Sequence, residues 1–163
     1  MFKNKKNILL YVGPEYTLEI VENILGSNYK ILTPEVVPDK VIPIFEECDI
    51  FFDASMKISV SAENIFNAKN LKLVVTATTG ASHMDQRALE QRGVPLLTLK
   101  GQNEILQELT PAAEQSWLLL MACARHFRGA IHHVEDSQWN RVEFPGIMLK
   151  GKTIGIIGLG RIG

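Results

Sequence analysis

The chain has 163 residues, 46% apolar and 21% charged, with a formal net charge of −1, enough for one domain with a substantial core or one domain and the start of another. That balance excludes a nucleic-acid binder held by phosphate contacts, because no surplus of Lys and Arg exists to release counterions; Lys3, Lys5 and Lys6 read as solubilising the approach to the first strand. No stretch is long and apolar enough to cross a bilayer, residues 1–12 lack the apolar core and cleavage site of a signal peptide, and Cys48 and Cys123 make no disulfide framework. A reduced, cytoplasmic protein is the expectation.

Apolar runs then alternate with helical patterns. Asn7–Val12 reads as a buried strand, Gly13-Pro14 as the turn into a helix over Glu15–Leu25 closed by Gly26, and residues 29–33 as a weaker strand. Pro38 opens a second helix with Val41, Ile42, Phe45 and Cys48 on one face, and residues 49–52 form the next strand. Residues 61–68 read as a short helix, 71–77 as a β-branched strand, 84–92 as a helix stopped by Gly93, and 94–99 as a strand. Strands separated by helices of this length imply right-handed βαβ units and helices on both faces of a parallel sheet. A small doubly wound α/β domain over the first hundred residues is the expected fold.

Past Leu99 the pattern changes. Residues 100–109 are polar and read as irregular. Thr110-Pro111 supplies an N-cap and an N1 proline for a long helix over 110–134. Residues 117–124 are consecutively apolar, so this helix should be hidden on most sides. Arg125, His126 and Arg128 fall late in it, where positive charge suits the dipole. Gln138-Trp139-Asn140 and Pro145-Gly146 read as a linker. Residues 153–157 read as a buried strand, after which Gly158, Gly160 and Gly163 make G-x-G-x-x-G where a strand turns into a helix. The first glycine permits a tight turn, the second lets pyrophosphate approach the backbone, and the third lets a helix pack on the strand, which is the start of a dinucleotide site. That helix, a second strand and an acidic ribose-binding residue are expected to follow Gly163.

Three stretches taken together, 71–85 (LKLVVTATTGASHMD), 109–125 (LTPAAEQSWLLLMACAR) and 149–163 (LKGKTIGIIGLGRIG), resemble the D-isomer-specific 2-hydroxyacid dehydrogenases in order and spacing. The resemblance implies a two-domain enzyme, with residues 1–100 as most of a flavodoxin-like substrate domain. Residues 101–163 then hold the first helix and strand of a Rossmann coenzyme domain. It implies reversible hydride transfer between NAD(H) and a small 2-oxo or 2-hydroxy acid, NADP being the alternative while the ribose-binding residue follows Gly163. It also implies a homodimer formed through the 110–134 helix. Thr79, Gly80 and Ala81 match the family's carboxylate-binding loop, and Ala54, Ser55 and Met56 a second loop lining the cleft. Thr110 to Glu114 match the helix start beside the nicotinamide, and Gly158, Gly160, Arg161, Ile162 and Gly163 the pyrophosphate turn. The family's substrate-binding arginine and its glutamate-supported histidine follow the glycine motif, so no catalytic residue is assigned and these residues alone are expected to be inactive. Where many members carry an Asn-x-Pro-Gly-like segment, this chain has Leu99-Lys-Gly-Gln-Asn.

Other residues carry plainer readings. His132 and His133 are neighbours on different sides of a helix and His126 makes no i, i+4 pair with either, so no metal site is expected. His83 reads as a residue that ties its own loop together, and Asp85 as the start of the helix that follows. Thr78 and Thr79 read either as strand-end residues only or, with the Gly80 turn at the C-terminal edge of a parallel sheet, as part of a ligand-binding turn. Trp117 and Trp139 read as core or interface anchors. The competing functional reading is a short, non-catalytic module of the same descent that binds a carboxylate or self-associates through its apolar helix.

Overall fold

The computed structural model describes residues 7–163, so the reading of Lys3, Lys5 and Lys6 lies outside the described residues. The chain forms two compact units, the first running to Gly101 and the second spanning Gln102–Gly163.

The first unit contains β1 (Asn7–Val12), α1 (Glu15–Leu25), β2 (Tyr29–Leu32), α2 (Pro38–Glu47), β3 (Ile50–Asp53), α3 (Ala62–Asn67), β4 (Leu73–Thr76), α4 (Gln86–Gln91) and β5 (Leu96–Leu97). All pairings are parallel and the order is β2-β1-β3-β4-β5, the flavodoxin-like doubly wound arrangement expected of these alternating elements. The two sheet faces are covered unequally. Leu10, Val12, Phe51 and Val74 point to the face carrying Val41 and Phe45 of α2, Ile65 of α3 and Leu89 of α4, and this is the main core. Phe45 and Phe51 meet edge to face at 5.1 Å, worth about 0.5–1.5 kcal/mol beyond the area they bury. The opposite face holds a smaller cluster, Leu9, Tyr11 and Val21, under α1. Two helices are capped as the sequence chemistry requires: Ser61 and Asn64 exchange side-chain and backbone bonds in a capping box at α3, and Asp85 accepts from the Ala88 amide at 3.0 Å to start α4.

The second unit departs from expectation in several places. Residues 103–107, read as irregular, form a short helix α5 (Asn103–Gln107) anchored by buried Leu106. The long helix is two: α6 (Pro111–Ala124) and α7 (Phe127–Glu135), separated at His126 in the left-handed region with φ 50°. The cause is a tertiary cap. Ile147 N donates to the Ala124 carbonyl at 2.7 Å, taking an acceptor that a continuing helix would have used. The stretch read as a linker thus folds back, bringing Phe144 against the His133 ring at 5.1 Å. Arg128 consequently lies in the first turn of α7, where a cation gains nothing from the dipole. Thr110 occupies the N-cap position but its side chain does not cap; the hydroxyl donates to the Glu114 carboxylate. Trp117, Leu118 and Leu119 are 60%, 57% and 54% exposed, so the described residues do not hide this helix. Trp139 is 89% exposed and is no core anchor. Residues 153–157 form no strand, because the second unit offers no neighbouring strand to supply ladder hydrogen bonds. No described helix is long and apolar enough to cross a membrane.

Candidate functional site

The loops that follow β3 and β4 leave the same C-terminal edge of the sheet from adjacent strands, with Asp53 registered against Thr76 and Ala77 N bonded to the Asp53 carbonyl at 3.1 Å. Ser55 and Met56 lie on the first loop, Thr79, Gly80 and Ala81 on the second. Thr79 and Gly80 are exposed and Ala81 is buried. The amides of Thr79, Gly80 and Ala81 donate to no acceptor among the described residues, and a Cβ built on Gly80 would meet nothing within 4 Å. Three consecutive N–H groups without a partner are free to donate to a ligand, and an anion is the group such amides suit. Thr78 shapes the turn from within: its hydroxyl donates to the Gly80 carbonyl, so at the 2.6 Å contact between the two threonine hydroxyls Thr76 must be the donor.

Asp53, to which the sequence reading assigned no role, is fully buried. Its Oδ1 accepts from Ser55 N at 2.7 Å, Ser55 Oγ at 2.7 Å and Met56 N at 3.2 Å, holding Met56 at a φ of 56° that only an over-determined loop sustains outside glycine. Its Oδ2 lies 2.8 Å from His83 Nε2, whose side chain is 7% exposed. That separation is a hydrogen-bond length, although the ring N–H is not aligned along it. His83 thus stands against Asp53 of the neighbouring strand, and its carbonyl accepts from Val60 N at 2.9 Å, so its contacts reach the other loop and not its own. The available signal was a carboxylate ending the apolar run Ile50-Phe51-Phe52, where burial demands a partner.

The strand order reverses between β1 and β3, the position where doubly wound sheets open a crevice. There Gly13 is tightly packed, since a Cβ on it would lie 2.5 Å from Tyr11 Oη and 2.7 Å from Ala54 Cβ. Tyr11 Oη donates to the Pro14 carbonyl at 2.8 Å, and burial pushes its phenol above the usual value. The open amides sit one strand further on, beyond β4.

In the second unit the expected cofactor residues are gathered at one corner. Arg161 donates to the Leu109 carbonyl at 2.7 Å and to the Leu106 carbonyl at 3.4 Å, which carries the glycine turn to the start of α6 beside Thr110. Gly158 has a φ of 92°; a Cβ on Gly163 would lie 2.4 Å from the Gly158 carbonyl, while one on Gly160 meets nothing within 4 Å. Gly158 thus makes a tight turn and Gly160 leaves open space, while the close approach at Gly163 is to the turn itself and not to a helix packed on a strand. Ile162 is 51% exposed. A cavity of about 450 Å³ lies between this turn and Ala113, Ser116, Trp117 and Leu120 of α6. Among the described residues no cluster of three or more His, Cys, Asp or Glu could hold a metal.

Comparison with known proteins gives two family matches: D-isomer specific 2-hydroxyacid dehydrogenase, catalytic domain, over residues 8–106, and the NAD binding domain of the same family over residues 117–163. D-3-phosphoglycerate dehydrogenase of Archaeoglobus fulgidus is 41% identical over 104 residues, which is 64% of this chain and 19% of that protein. Mitochondrial formate dehydrogenase of Solanum tuberosum is 33% identical over 172 residues, 98% of this chain and 44% of that protein. The crystal structure of NAD-dependent formate dehydrogenase from Staphylococcus aureus in complex with NAD shares the fold, with a TM-score of 0.76 at 20% identity, over 95% of this chain and 50% of that one. The chain thus spans half or less of the relatives it matches. With the two matches in sequence and the first alone covering more than half its length, the chain belongs to the D-isomer specific 2-hydroxyacid dehydrogenase family.

Proposed function

We propose that these residues correspond to the N-terminal half of an NAD-dependent dehydrogenase acting on small 2-oxo and 2-hydroxy acids, with residues 1–100 as most of the substrate domain and 101–163 as the opening of the coenzyme domain. The observation that carries the reading is the set of unpaired amides at Thr79, Gly80 and Ala81, the first two on exposed residues, at the edge where Ser55 and Met56 also emerge. These N–H groups receive the substrate carboxylate, and the loop of Ser55 and Met56 borders it from the next strand. Gly158, Gly160, Arg161, Ile162 and Gly163, with Thr110 beside them, form the turn for the cofactor's phosphates. Bound NADH supplies the hydride. A positioned proton donor is also required, and the family's histidine, glutamate and arginine correspond to positions after Gly163, so residues 1–163 alone are inactive. A cytoplasmic setting agrees with two free cysteines.

Two measurements test this. In an amide NMR titration of the chain, pyruvate should shift Gly80 and Ala81 and leave the β1 amides still; unmoved loop amides would remove the carboxylate site. The protein isolated from its source cells should have a mass near twice 18.2 kDa and consume NADH with a 2-oxo acid, whereas the 163 residues alone should not. Turnover by those residues alone would overturn the assignment of catalysis to the remainder. A second reading, self-association through α6 and α7, is favoured by the exposure of Trp117, Leu118, Leu119 and Met121, and is compatible with the first as a homodimer.

A further inference from the structure

We propose that Asp53 and His83 are a positioning pair that locks the loop after β3 and the loop after β4 into one carboxylate-receiving edge. The proposal rests on the amide reading above and adds the residues that hold those amides in place.

A carboxylate with no solvent exposure is stable only if its oxygens are bonded or paired. Asp53 spends one oxygen on the three donors of Ser55 and Met56, all from the loop that follows it. The other faces His83, thirty positions along the chain and on the second loop. Because a carboxylate only accepts, a bond across this 2.8 Å separation requires the proton on Nε2 and the ring N–H turned toward Oδ2. The His83 backbone completes the connection. Val60 N donates to the His83 carbonyl at 2.9 Å, Asp85 N to the Val60 carbonyl at 3.0 Å, and Met84 N to the Ala81 carbonyl at 3.1 Å. The segments after β3 and β4 are thus joined at two points, by His83 against Asp53 at the end of β3 and by the Val60–Met84 bridge. Thr79, Gly80 and Ala81 lie between Ala77, whose amide donates to the Asp53 carbonyl at 3.1 Å, and His83, so the amide triplet is held on both sides and has little freedom to turn away from the edge. Neither Asp53 nor His83 is exposed enough to receive the ligand itself; each acts through the backbone it holds.

The test uses the ¹⁵N-labelled 163-residue chain as wild type, His83→Ala, His83→Gln and Asp53→Asn. In His83→Ala, hydrogen exchange at Ser55 and Met56 should rise about tenfold, the value of one charge-assisted hydrogen bond, with exchange at Leu10 and Val12 unchanged. His83→Gln, whose side-chain amide can still donate to Asp53, should restore most of the protection. A merely structural role would raise exchange at Leu10 and Val12 in step, and that result overturns the proposal, as does unaltered exchange at Ser55 and Met56. If His83→Ala does not fold, the wild-type imidazole ¹⁵N spectrum decides: Nε2 protonated supports the pair and Nδ1 alone protonated overturns it. Pyruvate separates this from the functional reading. Exchange coupled as expected but no pyruvate shift at Gly80 or Ala81 in wild type removes the carboxylate site and leaves the loop lock supported. A pyruvate shift without the coupling removes the pair alone.

Discussion

Cys48 and Cys123 are the same residue in opposite surroundings. Cys48 is buried at the end of α2 and its Sγ donates to the Phe45 carbonyl at 3.2 Å; burial, reinforced by the nearby Asp49 charge, pushes its thiol from 9.0 up to about 12. Cys123 is exposed. A thiol reagent at neutral pH should therefore modify one cysteine in the folded chain and two after denaturation. The raised value also has a stability sign. Above pH 9 the unfolded chain has lost the Cys48 proton and the folded chain keeps it, so this contribution, complete below pH 9, is lost as pH climbs toward about 12; denaturation midpoints measured across that range should fall, and Cys48→Ala should flatten the Cys48 part of the slope. Gly13 gives a second residue-scale expectation. Its Cβ would meet the Tyr11 ring and Ala54, so Gly13→Ala should cost about 1–3 kcal/mol by chemical denaturation.

At the scale of elements, the short helices survive because neighbouring elements finish their ends. Arg92, at the close of α4, donates through Nη1 to the carbonyls of Ile65 and, at 2.6 Å, Ala68, the last acceptors of α3. Arg92→Ala should cost about 1–3 kcal/mol, with α3 amides losing exchange protection before those of β1. The end of α7 is a Schellman turn, Gln138 N to the His133 carbonyl and Ser137 N to that of Val134, both at 2.9 Å, with Ser137 at φ 59° in the position that glycine prefers. Ser137→Gly should raise the thermal midpoint, by the equivalent of about 1 kcal/mol. The break at His126 belongs to the same scale. No proline stands there and the apolar pattern runs through it, so the local sequence argues for one helix; the Ile147 amide capping Ala124 and the Phe144 contact argue otherwise, and they come from residues about twenty positions away.

At the scale of the whole molecule, the exposed apolar surface of α6 governs behaviour in solution. Four large side chains, Trp117, Leu118, Leu119 and Met121, stand at least 45% exposed on one fourteen-residue helix, the kind of exposed apolar surface that marks an interaction face. Light scattering should give a mass near twice 18.2 kDa, and Trp117→Glu, which removes the largest anchor, should weaken association by about 2 kcal/mol or more, roughly thirtyfold in Kd. A monomer at all concentrations would set aside the homodimer.

The doubly wound sheet was legible in the chain because its signals are local: apolar runs of strand length, helical periodicity, and caps at Ser61 and Asp85 that act within three residues of themselves. The loops at 54–56 and 79–81 were singled out by the family resemblance, and only for the turn at Gly80 did the chain also give a reason of its own, its place at the C-terminal edge of a parallel sheet. What the tertiary structure alone decided depends on partners distant in sequence. The strand at 153–157 is missing because a ladder needs a neighbour and the second unit has none. The helix breaks at His126 because a remote amide takes its last carbonyl. Asp53 became a hub only when the pairing of β3 with β4 brought His83 to 2.8 Å from it, for the cost of burying a carboxylate can be read from the sequence but the residue that offsets it cannot.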